Sequence, residues 1–413
     1  MTRHFPPGGG GGVQRPLKFA THLPALGIET HVLAPDDPKW IHSDDELSVP
    51  TQAWVHRARY LGPRGRRPAE ELHGRTGLDR ASRQARLLGR RLLVPDENVS
   101  WNLTAIPTAL RIARAEEIDA VLTTSPPGSV HLVGATLKRT LGIPWIADLR
   151  DSLVAHPHRR GQESVAARAK ERTQELVARM VARYADAIVA AADAIAEETR
   201  GLSPTGRVVT IANGSDSDDF AGLPYVAGDV FRITHTGSFF GKRDPKPFLS
   251  ALAESGLDDV RARFVGDFRT ADREFLESLD LGPRVELHPY VPRRRSLELQ
   301  RDSEVLLLLI PEAAGRGKGV LSGKVFEYLA AERPILAVVP PDGAAADLIR
   351  EIGAGVVAPP EDVPAIRDAI VDLHGRWRRG ELGWTLLPPD VRDRISRHAR
   401  VAELAELVRD VSA

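Results

Sequence analysis

Three stretches carry residues whose types and spacing suit the binding of an anion. The first is Gly8–Gly12, preceded by His4-Phe5-Pro6-Pro7 and followed by the helical run Val13–Leu26. Glycine has no Cβ, so Gly9, Gly10 and Gly11 let the backbone approach a ligand and present bare N–H groups. A helix starting just beyond them adds the positive end of its dipole, which favours a phosphate. Five consecutive glycines read equally as a polar loop without a fixed conformation. The second stretch is Gly237-Ser238-Phe239-Phe240-Gly241-Lys242-Arg243, directly after the apolar run Phe231–Thr236. Lys242 offers a point charge and Arg243 a bidentate fork for a diphosphate. A solvated turn before Asp244-Pro245 is the plainer reading of the same cations. The third, Gly315–Glu327, brings Ser322, Gly323 and Lys324 to the start of a helix Val325–Ala331. Glu327, one turn in, could accept two hydroxyls of a ribose, or simply compensate the helix dipole. This is no Walker A loop: Lys318 stands where its first glycine is required, and Val325 replaces its Ser or Thr.

Other features limit the chemistry. The 413 residues contain no cysteine, which excludes disulfides, thiolate nucleophiles and cysteine-ligated metals. Lys+Arg and Asp+Glu balance at 56 each, so no global field draws the chain to nucleic acid. The histidines show no metal-ligand spacing, and His156 and His158, flanking Pro157, read as loop residues. No metal is expected. Between Arg57 and Arg91, eleven arginines stand against three acids, and LDRASRQARLLGRRLLV has apolar and basic faces at helical spacing. Such a segment can lie on anionic lipid; a solvated, ion-paired helix is the commoner meaning. The opening MTRHFPPGGGGG lacks the apolar core of a secretory signal, and the longest apolar run, Val305–Ile310, is far shorter than the ~20 residues of a membrane span. A cytoplasmic location is expected. The Arg-, Ala-, Gly- and Pro-rich composition suggests a GC-rich bacterial genome.

Those stretches need elements to hold them. Short, continuously apolar runs recur at His31–Pro35, Ile118–Thr123, Ile143–Ala147, Ala187–Ala190 and Val208–Ile211. They continue at Phe231–Thr236, Ala262–Val265, Val285–Leu287, Val305–Ile310, Ile335–Val339 and Gly355–Ala358. Continuous apolarity over such lengths suits strands buried on both faces, and the intervening segments are helical in pattern. The alternation predicts an α/β protein with parallel sheets. So many strands exceed one comfortable open sheet, and the turn-rich Gly201–Phe220 divides them. The expected architecture is two doubly wound, Rossmann-like domains facing across a cleft: 1–212, 213–385, and a C-terminal helix over 386–413 returning toward the first domain. Only Met1–Phe5 precede the loop that opens at Pro6-Pro7-Gly8, which predicts a truncated first strand or a chain start assigned too late.

In this order the motifs resemble the family 4 glycosyltransferases with the GT-B fold, especially the branch of bacterial surface-polysaccharide clusters. The resemblance rests on HFPPGGGGGVQRPLKFATHLPALGIETHVLAP, TSPPGSVHLVGATLKRTLGIPWIADLRDS and VVTIANGSDSDDF, then THTGSFFGKRDP, FVGD, LHPYVPRRRSLELQRDSEVLLLLI and SGKVFEYLAAERPILAVVPPDGAAADLI. It covers most of the chain. It implies a diphosphate held by Gly9, Gly10, Gly11, Lys242, Arg243, Ser322, Gly323 and Lys324, a base near Tyr290 and Val291, and a ribose on Glu327. It further implies retention of anomeric configuration and independence of metal. Two positions depart from the family pattern. The partner of Glu327 in the family's pair of glutamates is Gly319, whose contact would pass to the amides from Gly317 to Leu321. Arg150 stands where many members carry a histidine, in Asp148-Leu149-Arg150-Asp151. An arginine cannot act as a base near neutral pH. Asp148 or Asp151 could orient an acceptor hydroxyl, or pair with Arg150.

The expected function is transfer of a sugar from a nucleotide diphosphate sugar, a co-substrate and not a cofactor, to a hydroxyl of a polysaccharide or lipid-linked glycan. The acceptor falls to residues 1–200 and the donor to 215–385, with a peripheral contact on the inner face of the plasma membrane through Arg57–Arg91. Two alternatives share the architecture: a non-hydrolysing sugar-nucleotide epimerase, whose His and Glu set is not evident, and a non-catalytic nucleotide-sugar-binding protein. No GxGxxG opens either half, which disfavours dehydrogenase chemistry.

Overall fold

The computed structural model describes the chain apart from residues 37–41, 63–88, 90–92, 155–164, 240, 314 and 316. Most of the arginine-rich stretch Arg57–Arg91, with His156 and His158, lies outside the described residues, as does Phe240. The chain forms two compact units: one from residues 1–154, 165–212 and 400–413, the other from 213–399.

In the first unit the strands are β1 (Thr30–Pro35), β2 (Ala53–Ala58), β3 (Val121–Ser125), β4 (Trp145–Leu149), β5 (Ala187–Ala190) and β6 (Arg207–Thr210). β1 pairs with β2, and β3-β4-β5-β6 form a second parallel ladder. Met1 and Thr2 fill the space between them. The Thr2 amide donates to Leu33 O (3.1 Å), the Thr124 amide donates to Met1 O (3.1 Å), and Thr2 bridges Thr124 in parallel. This two-residue stub thus takes the place of a first strand in a doubly wound order. Helices α1 (Gly11–His22), α2 (Asn102–Ala115), α3 (His131–Leu141), α4 (Val165–Tyr184) and α5 (Asp193–Arg200) connect the strands. The strand missing from the sequence expectation is β2, AWVHRA. Its Trp54 is 62% exposed and only Ala58 is buried, so it has no continuous apolar run to read. Trp145 anchors the core at 0% exposure and donates from Nε1 to Thr123 Oγ1 (2.7 Å).

The second unit is one six-stranded parallel sheet: β7 (Phe231–Thr236), β8 (Val260–Val265), β9 (Val285–His288), β10 (Val305–Leu309), β11 (Ile335–Val338) and β12 (Gly355–Ala358). Its order β12-β11-β10-β7-β8-β9 reverses direction between β7 and β10, the doubly wound pattern that opens a crevice beyond the carboxyl ends of those two strands. β10 reads VLLLL with every residue buried; Val305, Leu307 and Leu309 join the core with Phe231, Ile233 and Phe248. Around the sheet run α6 (Lys246–Glu254), α7 (Thr270–Ser278), α8 (Arg293–Arg301), α9 (Gly323–Ala330), α10 (Ala344–Ile352), α11 (Val363–Arg378) and α12 (Pro389–Ile395). The chain ends in α13 (Arg397–Ser412). One C-terminal helix was expected after Pro388-Pro389, and two are found. Ser396 is extended (φ −67°, ψ 142°), bridges Ser215, and leaves Ile395 O to accept from the Ser215 amide (3.0 Å). From Val401 onward α13 belongs to the first unit, where Val401, Leu404, Ala405 and Leu407 pack with Phe19, Leu23, Ile146 and Val189.

Candidate active site

In the second unit the turn after β7 and the start of α9 meet at the order reversal. Gly237 has φ 130°, and a Cβ there would lie 2.5 Å from both Cε and Nζ of Lys324. Only glycine tolerates that backbone and that approach. Lys324 projects from the first turn of α9, Ser322 is its N-cap, and the exposed Gly323 has open space around it. The Ser322 hydroxyl is buried with no hydrogen-bond partner among the described residues. Arg243 is buried and donates to Ser238 O (3.3 Å). Burial, then the charge of Arg243, lower the Lys324 ammonium to about 7, with Glu327 pulling it back up. Two cations therefore face each other at a helix N-terminus, an arrangement that a bound anion relieves. Lys242, by contrast, is exposed on the turn and is not among the groups acting on Lys324.

Deeper in α9, Glu327 is held on both oxygens. Arg293 donates to Oε2 (2.7 Å) and Gln300 to Oε1 (2.7 Å). Burial alone would raise this carboxyl; Arg293, Gln300 and Arg397 outweigh it and keep the group below the usual carboxylate range. Arg293 also donates to Asp219 Oδ2 (2.7 Å), which Arg397 approaches at 3.3 Å. Each Glu327 oxygen still has a second lone-pair direction. Tyr290 and Val291 are half-buried between β9 and α8, on the same carboxyl edge of the sheet. Of the loop Gly317–Leu321, the amides of Gly317, Lys318 and Val320 are already spent on Glu312, Gly315 and Gly317 carbonyls. Only Gly319 and Leu321 lie outside these turns, so the loop as a whole does not offer a row of amides.

A different cluster occupies the first unit. Asp148 is fully buried on β4, and its carboxylate accepts from Arg15 Nη2 (2.8 Å), Arg15 Nε (3.1 and 3.2 Å) and Thr124 Oγ1 (2.6 Å). Arg15 spends its other hydrogens on Ile211 O and Ala212 O, both at 2.9 Å. The partner of Asp148 is thus Arg15, four residues into α1, and not Arg150. Arg150 instead donates to Ser125 O (2.7 Å), Pro126 O (3.2 Å) and Gly12 O, fastening the glycine loop to the end of β3. Burial lowers its guanidinium, while Asp148 and Asp151 act in the opposite sense. Asp151 is half-buried one residue on. Gly10 (φ 88°) caps α1, Gly10 and Gly11 are exposed, and the Gly9 amide donates to His42 O (3.1 Å). Gly11 and Gly12 open the helix, so their amides have no intrahelical acceptor. Among the described residues no group of three His, Cys, Asp or Glu is placed to hold a metal ion.

Sequence reasoning passed over Arg15, Thr124, Arg293 and Gln300. Their signal was faint: polar residues at helix or strand positions whose partners lie far away in sequence, as with Arg15 and Asp148, 133 positions apart.

Residues 10–214 match the model of the glycosyl transferase 4-like domain. Among curated proteins no sequence matches this chain. Among solved structures, the chain is similar to a sucrose-phosphate synthase from Thermosynechococcus elongatus (TM-score 0.66, 16% identity, 95% of this chain and 92% of that one). It is also similar to Anabaena Alr3699/HepE in complex with UDP-glucose (TM-score 0.62, 14% identity, 99% and 98%). A third is the glycotransferase of kitacinnamycin (TM-score 0.54, 13% identity, 97% and 96%). These likenesses span both Rossmann-like halves. Residues 10–214 thus carry a glycosyl transferase 4-like domain, the Rossmann-like fold continues through the rest of the chain, and the protein is a glycosyltransferase.

Proposed function

We propose that the second unit binds a nucleoside diphosphate sugar and that the sugar passes, with retention and without a metal, to a hydroxyl of a polysaccharide or lipid-linked glycan. The observation that carries this reading is the like-charged pair Arg243 and Lys324, converging on Gly237 and Ser322 at the carboxyl ends of β7 and β10. Breaking a glycosidic bond to a diphosphate builds negative charge on the leaving group, and preorganised cations and amides stabilise charge where it develops. Lys324, Arg243, the Gly323 amide and the Ser322 hydroxyl serve that purpose, with Lys242 at the mouth of the turn. Glu327 takes the ribose hydroxyls on its remaining lone pairs, and Tyr290 with Val291 border the base. The UDP-glucose complex of the Anabaena neighbour supports the same class of donor here.

In the first unit, Asp148 and Arg150 serve as positioning residues: the carboxylate is sealed, and the guanidinium is bound to three carbonyls. Asp151, half-buried beside them, is the carboxylate assigned to orient an acceptor hydroxyl. The Gly9 amide is spent on His42 O, which removes it from the expected set; the exposed amides of Gly10 and Gly11 border the start of α1 and suit an anion. We assign the chain to a bacterial cytoplasm, with Arg57–Arg91 as a peripheral contact to anionic membrane. No helix among the described residues is long and apolar enough to cross a membrane.

The test is nucleotide binding. UDP, GDP or dTDP, or their sugars, should raise the melting temperature of the wild type by mass action. Lys324→Ala should weaken the preferred nucleotide by about 2–5 kcal/mol, as truncation of a desolvated charge pair does. Full affinity and turnover in Lys324→Ala would overturn the assignment.

A further inference from the structure

His235, the fifth residue of β7, is completely buried. Its Nδ1 lies 2.8 Å from Leu307 O. A carbonyl only accepts, so Nδ1 carries the proton and Nε2 of the neutral ring presents a lone pair. That Nε2 is buried and has no partner among the described residues. An unmatched acceptor in a parallel sheet is costly unless something fills it.

The space it faces is bounded by Gly237. A Cβ on Gly237 would lie 4.0 Å from His235 Nε2 and 2.5 Å from Lys324 Nζ, so the two nitrogens border the same gap. We propose that His235 is a positioning residue for Lys324, its Nε2 accepting a hydrogen bond from the Lys324 ammonium and holding that charge at the diphosphate. The inference rests on the reading of this turn and α9 as the donor diphosphate site.

The surroundings allow no other assignment of the ring's charge. Burial, then Lys324, then Arg243 hold the imidazole well below its ordinary value, so it stays a neutral acceptor. The titratable groups acting on Lys324 are Arg243 from the turn after β7 and Glu327 from its own helix, with Tyr328 behind, whose phenol accepts from the Thr236 amide (2.9 Å). Arg293 and Gln300 of α8 saturate one direction on each Glu327 oxygen, so Glu327 is already engaged elsewhere. Phe239 and Phe264 pack on the imidazole ring at centroid distances of 5.1 and 6.4 Å and offer no lone pair. A neutral acceptor beside a lysine favours the charged form, and a hydrogen bond to a charged group is worth about tenfold in the protonation equilibrium.

The experiment follows UDP affinity from pH 6.5 to 9 for wild type, His235→Phe, His235→Gln and Lys324→Ala, together with the ¹⁵N resonances of the histidines in the wild type. His235→Phe preserves the packing with Phe239 and Phe264 and removes the acceptor. It should shift the pH at which affinity begins to fall downward by about one unit, making binding about tenfold weaker at pH 8. His235→Gln, which keeps an acceptor, should recover most of that loss. In the wild type the His235 Nε2 resonance should move with a midpoint near that of Lys324, about 7. An Nε2 resonance indifferent to pH across that range, or a wild-type affinity profile in His235→Phe, overturns the proposal while leaving the diphosphate site standing. The resonance decides the matter even where His235→Phe does not fold. Undiminished UDP binding in Lys324→Ala overturns the diphosphate reading itself and the inference with it.

Discussion

At the scale of single residues, Lys324 couples donor binding to a proton. Its ordinary value is 10.5 and burial beside Arg243 brings it to about 7 in the free protein. Between those values the unfolded chain holds a proton that the folded chain has released, so this group makes folding stability rise as pH increases from about 7 to 10.5. Binding of a diphosphate has the opposite sense, because the anion requires the charged lysine. Affinity should hold up to about pH 7 and then fall by up to tenfold per unit. Calorimetry at pH 8 in buffers of differing ionisation enthalpy should reveal uptake of close to one proton on binding UDP, and none in Lys324→Ala. Asp148 gives a prediction of the other kind. Asn in its place leaves the buried Arg15 guanidinium without its counter-charge, a loss of about 3–5 kcal/mol in denaturant unfolding with UDP affinity unchanged. Sequence alone showed Asp148, Arg150, Lys324 and Glu327 as candidates. It could not show which cation each carboxylate meets, because Arg15 and Arg293 are ordinary arginines until the fold brings them to Asp148 and Glu327.

At the scale of elements, strand ends and helix starts place the chemistry, and most of them were legible. Phe231–Thr236, Ala187–Ala190 and Gly355–Ala358 are strands over the same residues that their apolar runs mark. Burial on both faces leaves a run with no polar alternation, which is what makes such strands readable. β2 escaped because its apolar run stops at Val55 and only Ala58 in it is buried, and the division of the C-terminal helix escaped because Ser396 is pulled out of helix by Ser215, a partner 181 residues earlier. Gly237 tests the element directly. Its backbone is strained for any L residue, about 1–3 kcal/mol, and a methyl would meet Lys324. Gly237→Ala should therefore bind UDP at least about tenfold more weakly while retaining a folded sheet by circular dichroism.

For the whole molecule, each unit owns a hydrophobic core: Trp101, Trp145 and Val133 lie in one, and Phe231, Phe264 and Leu307 in the other. A ligand that binds only the native second unit stabilises that unit alone. Limited proteolysis or hydrogen exchange at saturating UDP should slow opening of β7, β10 and α9, and leave β3 and β4 as they were; equal protection everywhere would argue against a donor site confined to the second unit. The α13 packing has a consequence for biosynthesis. Residues 213–399 are continuous, whereas the first unit needs Val401, Leu404 and Leu407 to finish covering Phe19 and Ile146. A ribosome therefore delivers every residue of the second unit before the last turns of the first. The second unit can complete its sheet during synthesis, and the first, although begun earlier, must wait for the chain's final helix.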